Sequence, residues 1–162
     1  MKRRSIAVFA ALTLGLSAHA HAGPRSTAEL LAAHNAYREN LGLPPLHWSN
    51  RLAVHAQRWA DHLAELGQLE HSGPGQNLAM ATAGTMSLTQ LVDLWGSEQA
   101  NFTDGDFPAI STTGNWSDVG HYSQMVWKTT TEVGCGFAEG NGFDLLVCDY
   151  NPPGNVMGER PY

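Results

Sequence analysis

The chain has 162 residues, with 9 lysines and arginines against 15 aspartates and glutamates, giving a formal charge of −6 with its histidines neutral. An acidic chain with no basic stripe interleaved with aromatics is repelled by a phosphate backbone, so nucleic acid is excluded as a partner. Once the N-terminal segment described next is set aside, about 140 residues remain, enough for one domain with a proper core and too few for two.

Met1-Lys2-Arg3-Arg4 is a basic start, Ser5 to Leu16 is an apolar run too short to span a bilayer, and Ala18-His19-Ala20-His21-Ala22 offers overlapping A-x-A cleavage sites. A signal peptide over residues 1–22 is expected, cut after Ala20 or Ala22, followed by a single domain over 23–162. The product is then secreted, extracellular or, in a Gram-negative cell, periplasmic. Loss of Lys2, Arg3 and Arg4 lowers the basic count from 9 to 6 against 15 acids, leaving about −9. His19 and His21 leave with the leader and carry no functional meaning. No later run has membrane length, so an integral membrane protein is not expected.

Ser26-Thr27-Ala28-Glu29 reads as a capping box opening a first helix, whose stripe of Leu30, Ala33, His34, Tyr37 and Leu41 stops at Gly42 before Pro44-Pro45. His34 lies in that stripe and reads as a satisfied core or interface histidine. A second helix follows Ser49 or Asn50, with Leu52, Ala53, Ala56, Trp59, Ala60, Leu63 and Leu66 on a wide apolar face and Gly67 just past its end. His55 and His62 share one side of it without a third ligand and read as surface or rim histidines. Gln76 to Ala81 forms a short strand.

A third helix starts near Thr85 or Ser87, and Leu88, Leu91, Val92 and Trp95 form its buried stripe. Glu98 continues that stripe, so its carboxylate must border the interior and needs a partner there. Residues 101–117 are polar and rich in glycine and proline. They read as a long surface loop in which Asp104 and Asp106 are solvated charges. Asn101-Phe102-Thr103 and Asn115-Trp116-Ser117 match the glycosylation pattern, which matters only in a eukaryotic secretory pathway.

His121 opens a fourth helix whose stripe is Tyr122, Met125, Val126 and Thr129, with Ser117 or Asp118 placed to cap it. At the positive end of a helix dipole the ring is expected to be neutral at pH 7, able to accept a proton or ligate a metal. Asn141-Gly142 then signals a type I′ hairpin between the runs from Val133 to Ala138 and from Phe143 to Cys148. With those two residues as the turn, Cys135 faces Cys148 in a non-hydrogen-bonded pair, where Cα atoms sit roughly 4.5 Å apart. A disulfide fits that spacing, and closing so short a loop stabilises the fold by about 3 kcal/mol. Cys135, Phe137, Leu146 and Cys148 line one face of the hairpin and Ala138, Leu145 and Val147 the other, so the sheet is covered on both faces. Helices layered on either side of a small, largely antiparallel sheet give an α+β, three-layer α-β-α sandwich.

Several segments resemble one known family. Gly120-His121-Tyr122-Ser123-Gln124-Met125-Val126-Trp127-Lys128-Thr129-Thr130 is similar to one signature of the CAP superfamily, the cysteine-rich secretory, antigen 5 and pathogenesis-related class 1 proteins. Leu145 to Val156 resembles the second. His34-Asn35-x-Tyr37-Arg38, Leu46-x-Trp48, His71-Ser72-Gly73, Gly75-Gln76-Asn77-Leu78-Ala79 and Trp95-x-x-Glu98 add to it in the same order. The resemblance implies the same sandwich, the Cys135–Cys148 bridge, and a cleft with two histidines and two acids. Matched by motif, the histidines are His71 and His121 and one acid is Glu98. The other acid falls on Gln76, which can orient a histidine but cannot act as a base. Asp149 also departs from the pattern, standing where a neutral or basic polar residue is common.

Taken together with Gln76 in place of an acid, the resemblance points to a secreted binding module, non-enzymatic, whose His71/Gln76/Glu98/His121 cleft takes a divalent metal weakly. Zn2+ would be held by His71 and His121, with no cofactor required. A sterol or lipid, or an extracellular protein, is the implied partner. One alternative is a hydrolase using Ser72, His121 and Glu98; Ser123 is two residues from His121 and points away from it. No G-x-S-x-G turn and no H-E-x-x-H motif supports that reading. The other alternative is a precursor releasing the C-terminal peptide from Pro152 to Tyr162, against which stands a tail packed on the domain by Val156, Met157 and Tyr162.

Overall fold

The computed structural model describes residues 24–162, so the expected leader over 1–22 lies outside the described residues. In chain order the elements are α1 (Pro24–Glu39), β1 (His47–Trp48), α2 (Asn50–Leu66), β2 (Gln76–Thr82), α3 (Leu88–Ser97), α4 (Gly120–Met125), β3 (Glu132–Gly140) and β4 (Phe143–Asn151). Single 3₁₀ turns occupy Glu98–Asn101 and Trp116–Asp118.

The hairpin sets the sheet. Asn141 and Gly142 have φ of 52° and 82°, the pair of left-handed residues a type I′ turn requires. Gly140 therefore faces Phe143, and Cys135 faces Cys148 with Cα atoms 4.1 Å apart and a disulfide between them. β2 adds antiparallel to β4, and the two-residue β1, which no sequence pattern announced, adds parallel to β3, giving the order β1-β3-β4-β2. On one face α2 packs Ala56, Ala60 and Leu63 against Leu78, Leu145 and Val147. On the other, α1, α3 and α4 bury Leu30, Leu91, Val92, Trp95, Tyr122 and Met125 against Val133, Cys135, Leu146 and Cys148. The three-layer α-β-α sandwich is the one expected, and the reason is visible in β4, where every residue from Asp144 to Tyr150 is buried.

α2 lies directly on the strand backbone. A Cβ on Gly134 would sit 2.3 Å from Ala53 N, and one on Gly136 would sit 2.2 Å from Gln57 Cα. Only glycine permits that approach. Gln57, drawn into the layer, donates from Nε2 to Phe137 O at 2.8 Å and accepts from Phe137 N at 3.1 Å, so its amide satisfies main-chain groups at the contact.

Four local expectations are corrected. α1 begins at Pro24, not after a Ser26 cap; proline suits a first helical turn, and Glu29 instead accepts from Thr89 N and Oγ1 on α3. α4 ends at Met125, which leaves Thr129 exposed and Thr130 buried. The 101–117 segment carries its own small core of Phe107 and Ile110 with Val119 and Trp127, and Asp104 and Asp106 pair with Arg160 rather than with solvent alone. In the tail Val156 and Met157 are 39% and 72% exposed. Main-chain bonds between Phe107 and residues 158 and 159 hold it instead, together with buried Pro161 and Tyr162 against Phe102. As expected, Ser87 caps α3 with Gln90 in a capping box and Gly67 ends α2 in the left-handed region. Among the described residues no helix is long and apolar enough to cross a membrane.

Candidate functional site

Glu98 leaves the end of α3 three residues beyond buried Trp95, and its carboxylate reaches the start of α4. Oε2 accepts from His121 N and from Tyr122 N, both at 3.0 Å, and Oε1 lies 2.6 Å from His121 Nδ1. The N-cap residue of α4, Val119, offers no side-chain acceptor, so the first N–H groups of this short helix are satisfied from outside it. Neither Ser117 nor Asp118 caps the helix; Asn115 caps the preceding 3₁₀ turn, and Asp118 accepts from Thr113 and Asn115. The helix start therefore carries a carboxylate beside the ring, a charge that reasoning from the dipole alone did not include.

With Nδ1 hydrogen-bonded to a carboxylate, the neutral tautomer assigned to His121 carries its proton there and leaves Nε2 as the nitrogen with a free lone pair. Trp95 stacks on the ring, with centroids 6.2 Å apart and planes 21° from parallel. Behind it runs a buried chain of hydrogen bonds. His34 Nδ1 donates to Leu30 O at 2.7 Å, and Tyr150 OH donates to His34 Nε2 at 2.8 Å. Asn77 Nδ2 donates to Tyr150 OH at 3.1 Å and to His121 O at 3.0 Å. His34 is thus the satisfied core histidine the stripe predicted. Burial, above all, lowers its pKa to about 4.

His71 is exposed, on the segment between α2 and β2. Partial desolvation lowers its pKa, with the neighbouring His121 acting in the same direction and the hydrogen bond to Gln76 against it. Trp59 Nε1 donates to Glu70 O at 2.7 Å, Ser72 N donates to Gln76 Oε1 at 3.0 Å, and Tyr150 N donates to Gly75 O at 2.8 Å. The segment is therefore tied to α2, β2 and β4. Gln76, buried, also donates from Nε2 to Ser72 Oγ and to Asp149 Oδ1, each at 2.8 Å.

His71, Gln76 and His121 line one cavity of about 420 Å³, with Phe107 and Trp116 as an apolar wall and Asn77, Gln124 and Asn155 around it. Glu98 does not line it; it stands behind His121. The aromatic wall was missed, because the 101–117 segment read as solvated loop and gave no periodic signal. His55 and His62 lie outside the cavity, as rim or surface residues do, but His55 Nδ1 is 2.6 Å from Asp149 Oδ2, and the His62 ring packs tilted against Trp59. Ser72 is hydrogen-bonded to an amide that cannot take up its proton. Ser123 is buried and donates to Asn155 Oδ1.

The donor set suits a metal only weakly. Among the described residues, the one cluster of three potential ligands is His34, Cys135 and Cys148, and its sulfurs are joined in the disulfide. In the cavity two imidazoles supply nitrogen ligands, and the remaining positions would fall to water or to another molecule.

A family model described as the cysteine-rich secretory protein family, CAP, matches residues 31–150. Pathogenesis-related protein 1B of Nicotiana tabacum is 36% identical over 154 residues, 93% of this chain and 88% of that protein. Pathogenesis-related protein 1 of Arabidopsis thaliana is 35% identical over 164 residues, 98% of this chain and 96% of that one. Among solved structures, that of NaASP2 with Zn2+ superposes with a TM-score of 0.72 at 24% identity, covering 88% of this chain and 87% of the other. BmVAL-1 superposes at 0.71, also at 24% identity, over 86% and 82%.

Proposed function

The chain belongs to the cysteine-rich secretory protein (CAP) family, and on that premise we propose that it is a secreted, non-enzymatic binding domain whose cleft takes up a divalent metal weakly through His71 and His121. The observation that carries this reading is the Glu98 carboxylate, 2.6 Å from His121 Nδ1 while its other oxygen caps α4. A histidine that ligates a metal typically gives its second ring nitrogen to such a carboxylate, which fixes the tautomer and raises the basicity of the ligating nitrogen. Glu98 therefore orients rather than ligates. Bound metal would add a Lewis-acidic anchor for an oxygen or nitrogen of a further ligand. The chain's own contribution is to hold His121 by its Nδ1, to bring His71 to the same cavity, and to present Phe107 and Trp116 to an apolar portion of that ligand. Those rings favour a sterol or lipid over a fully polar partner, and an extracellular protein is the other candidate.

Isothermal titration of the mature protein with zinc tests the metal reading. One exchangeable site is expected, lost in His71→Ala/His121→Ala. Zinc uptake unchanged in the double variant would overturn it. Sterol uptake measured on the same pair locates the apolar ligand: uptake that survives both substitutions would place it outside the cleft.

A further inference from the structure

Asp149 is a buried carboxylate, 7% exposed, directly opposite Gln76 across the β2–β4 pair. Both of its oxygens are engaged. Oδ2 lies 2.6 Å from His55 Nδ1 on α2, and Oδ1 accepts from Gln76 Nε2 at 2.8 Å. An ionised carboxylate only accepts, so it decides which end of a facing amide turns toward it. Gln76 must present its NH₂ to Asp149, and its carbonyl oxygen is thereby left for Ser72 N–H at 3.0 Å, while the second amide hydrogen goes to Ser72 Oγ at 2.8 Å. With a neutral amide at position 149 the two ends of Gln76 become interchangeable there, and this determination is lost. Ser72 immediately follows His71, so the orientation of one buried amide sets the main chain that carries the rim imidazole.

We propose that Asp149 is a positioning residue for His71: its charge fixes Gln76, Gln76 fixes the segment at Ser72, and His55 satisfies the carboxylate from α2. The carboxylate absent from position 76 is thus supplied across the strand pair, at one remove from the cavity. The metal arm of the test rests on the reading of His71 as a cleft ligand; the magnetic resonance arm does not.

The test compares the mature wild type, Asp149→Asn and Gln76→Glu/Asp149→Asn. In the metal-free protein, Asp149→Asn is expected to move the Ser72 amide, Gln76 side-chain and His71 ring resonances and to leave the His121 ring in place. Its zinc affinity is expected to fall about tenfold, the lower end of what loss of an outer-shell partner costs. In the double variant the carboxylate sits at 76, where it accepts from Ser72 N–H and from the new amide at 149, and both the His71 resonances and the affinity should return. Unmoved Ser72 and His71 signals in Asp149→Asn, or a double variant that restores neither readout, would refute the proposal. If the single variant does not fold, the double variant decides alone by the same criterion. A wild type that takes up no zinc defeats the metal reading, and the resonances of the metal-free proteins still judge Asp149.

Discussion

Lowering the pH probes the buried network behind the cleft through one residue. His34 is fully buried, donating to Leu30 O and accepting from Tyr150 OH. Protonating it would put a second N–H against a hydroxyl that already donates, with no solvent to compensate. Burial is the main cause that brings its pKa from the ordinary 6.5 to about 4; the bond to Leu30 opposes that shift and the Arg38 charge adds to it. The unfolded chain takes the proton near 6.5 and the folded chain only near 4, so between those values the unfolded state binds more protons. Stability from this group is complete above pH 6.5, falls as the pH drops through the window, and levels off below about 4. At about 1.4 kcal/mol per pH unit the whole window amounts to about 3 kcal/mol. Urea unfolding of the protein and of His34→Gln, from about pH 8 to about pH 3, isolates the effect, because glutamine offers a donor and an acceptor but does not titrate. The difference between wild type and variant should change with pH across that window and nowhere else. Parallel pH profiles for the two proteins would show that His34 is not held neutral by burial.

Glu98→Gln removes the charge and leaves one acceptor for three donors. Stability is expected to fall by about 2 kcal/mol in urea unfolding, and zinc affinity by about tenfold; a destabilised variant with full affinity would separate capping from ligand orientation. Gly136→Ala forces a methyl group into Gln57 Cα. It should cost about 2–3 kcal/mol in the same assay, whereas Gly73→Ala, with nothing within 4 Å of its added Cβ, should stay within about 0.5 kcal/mol. Replacing Cys135 and Cys148 by alanine opens a cross-link over 13 positions. About 3 kcal/mol should be lost, read as a lower urea midpoint.

The hairpin was legible in the sequence because its determinants are local. Asn141-Gly142 fixes the turn type, the turn fixes the register, and the register places Cys135 on Cys148. The layering followed because two apolar faces on one hairpin demand two covers. The aromatic wall of the cavity was not legible. Phe107 and Trp116 belong to a segment with neither helical nor strand period; Phe107 is buried by Val119 and Trp127 and held by main-chain bonds with residues 158 and 159, while Trp116 meets Phe107 edge-on and stays 44% exposed. The Gln76–Asp149 contact was hidden for a different reason. Each residue was seen as a departure by itself, and only the β2–β4 register, which joins strands about seventy residues apart, shows that they face each other.

α4 combines both cases. Its six residues are too few for a helix to persist alone, and its capping pattern pointed at neighbours that do not cap it. The structure supplies both ends from elsewhere. At the N-terminus the Glu98 carboxylate accepts from two main-chain N–H groups. At the other end the guanidinium of Arg38, 1% exposed, donates to Met125 O and Trp127 O at 3.0 and 2.9 Å and to Thr130 O at 3.2 Å. An anion at the start and a cation at the end complement the helix dipole, and the bonds to Trp127 and Thr130 account for the helix stopping before Thr129. The sequence marked Glu98 as a carboxylate in need of a partner, and the partner was the backbone of His121. One interaction therefore satisfies the part-buried charge, caps the helix and holds the ring of His121, which lines the cavity, and that is why the most family-like helix of the chain is also its least self-sufficient.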